Sequence, residues 1–148
     1  MAIEGYTSEA TRLFERFAQR HGFRYEVERN APIDLLWTFP TQDGLVHPIV
    51  LGLQNRDELN FGVDDFWSYF FPFQASAARF ERIINAWVIG EARVAVTGRK
   101  GRVLQLWDDE KWLTVYSANR LLPYSGEPNQ TVENRPLDLR ANAGNNPL

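Results

Sequence analysis

Cysteine is absent from the 148 residues, which excludes a disulfide framework, a thiolate metal site and a cysteine nucleophile. Histidine is scarce: His21 and His47 are too few and too dispersed to supply the full ligand set of a zinc site, so no metal is expected. Lysine is limited to Lys100 and Lys111, and the net charge is −3, which argues against a nucleic-acid partner held by clustered basic residues. No run approaches the ~18 consecutive apolar residues of a membrane span. The start, M-A-I-E-G-Y-T-S-E-A, carries Glu4 where a secretory leader needs an apolar stretch. These absences together predict a cytoplasmic protein with no membrane partner. There is also no P-loop, no G-x-G-x-x-G, no G-x-S-x-G, no H-E-x-x-H and no EF-hand loop. No cofactor is therefore implied, and the balance leans away from an enzyme.

Aromatic residues, by contrast, are abundant, at 14% of the chain. They are densest at the end of the stretch Pro48–Phe73, where Phe66, Trp67, Tyr69, Phe70, Phe71 and Phe73 fall close together. The same stretch opens with Ile49-Val50-Leu51. A strand apolar on both sides has material packed on both faces, so this run reads as the centre of a sheet.

Helical spacing of Ala10, Leu13, Phe14, Phe17 and Ala18 predicts a helix over about 7–21, with Thr7 or Ser8 as its cap and Gly22 as its stop. Alternating apolar positions predict strands near 23–28, 33–39, 45–54 and 58–63. Asp64 is placed to cap a short helical turn through Trp67 and Tyr69. Phe80, Ile83, Ile84, Trp87 and Val88 then form the stripe of a second helix, 73–89, ended by Gly90. Three further strands follow, at 91–97, 102–107 and 112–117, with Gly98-Arg99-Lys100-Gly101 as a hairpin turn and Trp107 facing Trp112. The fold class expected is α+β: one curved antiparallel sheet of about seven strands, ordered α-ββββ-α-βββ, with both helices on one face. Two separate sheets are the alternative.

Residues 1–120 read as a single domain and 121–148 as an extended tail. In the last three strands Ala95, Leu104, Leu106, Leu113 and Val115 are expected on one face, and Val94, Val96, Val103, Trp107, Trp112 and Tyr116 on the other. Two helices can cover only one of those faces. The tail, through Leu121, Leu122, Tyr124, Leu137 and Leu139, is expected to lie over the second face, on its own sheet or a neighbour's.

Surplus aromatic surface and an arginine-rich basic complement are what protein interfaces use at their anchors. The leading functional expectation is accordingly a non-catalytic protein-interaction or accessory module that self-associates. Its contact residues would be Trp67, Tyr69, Phe70, Phe71, Trp107 and Trp112, although the cluster 66–73 also suits a core. The alternative is a small-ligand pocket between sheet and helix, lined by Trp37, His47, Asp64, Trp87 and Tyr116. There His47 and Asp64 are the weak candidates for acid/base, hydrolase-type chemistry. A hydrogen-bonded structural histidine is the plainer reading of His47. Asp57-Glu58 and Asp64-Asp65 suit turns and helix starts better than a cation site.

Overall fold

The computed structural model describes residues 5–96, 101–118 and 128–137. Helix α1 (Thr7–His21) turns Leu13, Phe14, Phe17 and Ala18 into the core. Neither Thr7 nor Ser8 caps it. Tyr6 occupies that position without a side-chain hydrogen bond, and its ring stacks on Phe73 at 4.5 Å instead. Gly22, at φ 69°, ends the helix and lets the Phe23 N–H return to Ala18 O at 2.9 Å.

Five strands follow as an antiparallel meander: β1 (Glu26–Val27), β2 (Leu35–Phe39), β3 (Ile49–Gln54), β4 (Glu58–Val63) and β5 (Phe66–Phe70). β3 takes the central place that its apolar run implies. Ile49, Leu51 and Leu53 point inward beside Trp37, Phe39, Leu59, Phe61 and Val63. β5 replaces the expected helical turn. Phe66, Ser68 and Phe70 face the core while Trp67 and Tyr69 face out, a strict period of two. Because both faces are largely aromatic, hydropathy alone does not show this alternation. Asp64 is therefore a turn residue rather than a helix cap. It opens the link between Val63 and Phe66 at φ 52°, a left-handed conformation that Asp tolerates.

Helix α2 (Phe73–Val88) buries Phe80, Ile83, Ile84 and Trp87 and touches α1, β4 and β5. It also packs on a second sheet, made of β6 (Ala92–Val96), β7 (Arg102–Asp108), β8 (Lys111–Ser117) and β9 (Gln130–Val132) in the order β8-β7-β6-β9. Among the described residues the strands form two antiparallel sheets, of five and four strands, sharing α2, which is the alternative and not the expected single sheet. At the seam between β5 and β8 no ladder forms. Tyr116 instead meets the rings of Phe66, Tyr69 and Phe70 at 6.1, 6.1 and 6.2 Å.

Register corrects the expected faces of the second sheet. Val94 pairs with Leu104 and Leu106 with Leu113, so these share the α2 side, while Ala95 pairs with Val103 and lies opposite. A bulge after Leu104 gives β8 its extra residue, Val115, and breaks the alternation assumed from sequence. Trp107 does pair with Trp112, with ring centroids 5.2 Å apart. Turn residues 97–100, Leu121, Leu122, Tyr124 and Leu139 lie outside the described residues, and Leu137 is half-buried. The described part of the tail lengthens the sheet at its edge: Val132, Thr131 and Gln130 pair with Val94, Ala95 and Val96. Among the described residues no helix is long and apolar enough to cross a membrane.

One tail residue fixes this arrangement. The buried Asn134 donates from Nδ2 to Gly44 O and Val88 O, each at 2.8 Å, and accepts from the Val46 N–H at 2.9 Å. It therefore ties the β2–β3 connection to the end of α2, satisfying a carbonyl that a helix terminus leaves open. Gly90, at φ 84°, sits against this segment so closely that an added Cβ would lie 2.6 Å from Arg135 O.

Candidate functional site

The outward side of the first sheet is built by alternation. Since both helices occupy the inner side, β5 presents Trp67 and Tyr69 outward at 37% and 40% exposure, and Phe71 follows at 64%. Cross-strand register sets Trp67 beside Gly62 and Val50, and Tyr69 beside Asn60 and Gly52. Gly62 lets the indole lie flat on the sheet: a Cβ there would be 2.8 Å from the Trp67 ring. An aromatic ring laid over a strand glycine restores the packing that the missing side chain forfeits. Leu36, Thr38, Val50, Gly52, Asn60 and Gly62 make the middle of this face, which carries no formal charge. Asn60 is 2% exposed, and its Nδ2 has no partner among the described residues.

Of the residues expected at a contact surface, Phe70 is corrected. It is 5% exposed and packs edge-on against Phe80 at 5.5 Å, because it takes the inward phase of β5. Trp107 and Trp112 lie on the outer side of the second sheet and are half-buried. The Arg93 guanidinium stacks over Trp112 at 4.0 Å, so that patch is already partly covered from within the chain.

The pocket expected between sheet and helix is not formed by its five named residues. Trp37 and Trp87 are buried in the core, where Trp87 meets Phe61 at 5.6 Å, and Tyr116 sits in the aromatic seam. His47 and Asp64 do come together. Nδ1 of His47 stands 3.5 Å from Oδ1 of Asp64, a charge-pair distance longer than a formed hydrogen bond.

Asp64 also borders a different cavity, of about 250 Å³, where the β4–β5 turn meets the β6–β9 edge. Val63, Phe66, Val94, Val96 and Val132 form its walls, and Asp64, Asp65, Arg102 and Gln130 its polar rim. Arg102 bonds Asp65 through its NH1 group, and that bond holds the Asp65 carboxyl below the usual carboxylate range. The Arg102 guanidinium also lies 5.6 Å from the centre of the Phe66 ring. The cavity lining holds no serine or threonine among the described residues. Among the described residues, no three His, Asp or Glu side chains gather as a metal site.

Sequence reasoning singled out His47 and Asp64 by type, but the hairpin geometry that brings them together was not legible. It did not place Arg102 or Gln130 at a cavity rim, nor Asn134 between the β2–β3 connection and the end of α2, since their partners lie far away along the chain. No family model, no curated protein and no solved structure matches this chain.

Proposed function

We propose that the chain is a non-catalytic protein-interaction module that self-associates through the outer side of its first sheet. The observation that carries this reading is the outward row of Trp67, Tyr69 and Phe71, with both helices on the opposite side. Large aromatics exposed together are what interface centres use, because each buries much area while losing few rotamers. The uncharged middle of the face favours a partner of equal neutrality, and a second copy presents one by construction. A charged partner would leave its own ions desolvated and unpaired there.

The test is sedimentation equilibrium on the full chain beside the Trp67→Glu, Tyr69→Glu double variant. The expected result is a mass near twice 17.1 kDa for the parent and a single-chain mass for the variant. A parent that stays monomeric to about 100 μM, or a variant that still dimerises, defeats the proposal.

A second reading is favoured by the His47–Asp64 approach and the adjoining cavity: a small-ligand site at the junction of the two sheets. Here the chain would bind rather than transform its ligand.

A further inference from the structure

We infer that the junction cavity is a binding site for a small aliphatic ammonium compound, one short branched hydrocarbon chain ending in a primary amine. The inference rests on the second reading above and names its ligand class. Size comes first: about 250 Å³ lies just below the ~300–1,000 Å³ of drug-sized pockets, so the occupant has only a handful of non-hydrogen atoms. The walls decide the body of the ligand. Val63, Phe66 and Val94 are buried and Val96 and Val132 half-buried, with no polar side chain among them, which suits a branched aliphatic chain.

The rim decides the head group. Among the described residues it carries two carboxylates, one guanidinium and one amide. The guanidinium of Arg102 is engaged by Asp65, so these two largely neutralise each other. Asp64 remains, and the cation-capable group paired with it among the described residues is His47, at a distance too long for a good hydrogen bond. An ammonium arriving at the mouth therefore finds a carboxylate with acceptor capacity left, while an incoming carboxylate would have to compete with Asp65 for Arg102. Gln130 Oε1 can accept a further N–H from the same head group.

The experiment is a titration of the full chain followed by backbone amide chemical shifts, with three probes sharing one hydrocarbon chain. These are isopentylamine, isopentanol and 4-methylpentanoate. Asp64→Asn is the variant, because Asn tolerates the same left-handed turn and keeps the fold. Isopentylamine should saturate with a Kd of about 1 mM or tighter, moving amides of Val63–Phe66, Val94 and Val132, and should bind at least about tenfold better than isopentanol. Asp64→Asn should remove that tenfold advantage and leave isopentanol binding as it was. If 4-methylpentanoate binds best, or all three bind alike, the ammonium assignment is overturned while the cavity still stands as a ligand site. If no probe gives saturable shifts at these residues, both the assignment and the small-ligand reading fall.

Discussion

At the residue scale, Asn134 shows how much one side chain can hold. Its three hydrogen bonds run to backbone groups of the β2–β3 connection and of α2, about which sequence patterning is silent. Removing the amide leaves two carbonyls and one N–H short of a partner, and each buried group so orphaned costs about 1–3 kcal/mol. Asn134→Ala is therefore expected to lower stability by about 2–4 kcal/mol in urea unfolding, allowing for water to recover part of the loss. Asn134→Asp should be at least as damaging at neutral pH, because a carboxylate only accepts and would face two carbonyl oxygens. Equal stability of all three proteins would mean the clasp is dispensable. In the sequence, V-E-N-R-P reads as coil, and nothing in it marks its asparagine as structural. His47 and Asp64 were legible as residue types, but their meeting depends on where two separate connections land.

At the element scale, the two helices were legible and two of the strands were not. Leu13, Phe14 and Phe17, like Phe80, Ile83, Ile84 and Trp87, recur at a period that only a helix satisfies. β5 was hidden by having aromatic residues on both faces, and β9 by being three residues long within proline- and asparagine-rich chain. The helices are joined by an exposed Arg16–Glu81 fork, with both N–O distances 3.0 Å, and by His21 Nε2 bonded to Asn85 Oδ1 at 2.8 Å. An exposed fork of this kind contributes about 0.2–1 kcal/mol. His21 adds a pH dependence. Burial against Phe17 and Phe23 lowers its pKa from the ordinary 6.5; the Asn85 bond opposes that shift and nearby Arg20 adds to it. Glu81, Arg82 and Glu91 line the same groove from α2 and the segment after it. With its folded-state pKa depressed, His21 binds a proton less readily in the native chain than in the unfolded one. Its contribution is therefore fully present above about pH 6.5 and is lost as pH falls through the lower, native value. The urea midpoint should drop between about pH 7.5 and 5.5, and His21→Gln should flatten that slope. An unchanged slope in the variant would assign the effect to other groups.

At the scale of the whole molecule, α2 is common property. Its buried stripe of Phe80, Ile83, Ile84 and Trp87 contacts strands of both sheets. Each such side chain contributes about 1.5–3 kcal/mol by leaving water. Melting either sheet alone would strip cover from the helix that supports the other. We therefore expect one cooperative thermal transition, with calorimetric and van't Hoff enthalpies equal, rather than one transition per sheet. Two resolved transitions, or amides of β6 and β7 exchanging far faster than those of β3 and β4, would show the sheets to be independent. The α+β class and the paired helices followed from sequence periodicity. The division into two sheets stood only as the alternative to one, because it turns on a seam closed by Tyr116 rather than by a ladder.

The position of β9 and Asn134 along the chain also governs the order of events during synthesis. Every other described strand leaves the ribosome before residue 130, so β6 must wait with one edge bare, and the Gly44 and Val88 carbonyls wait with it. For that interval the emerging polypeptide offers an open template to any stray strand nearby. The interval closes only when its own late segment arrives to fill the gap.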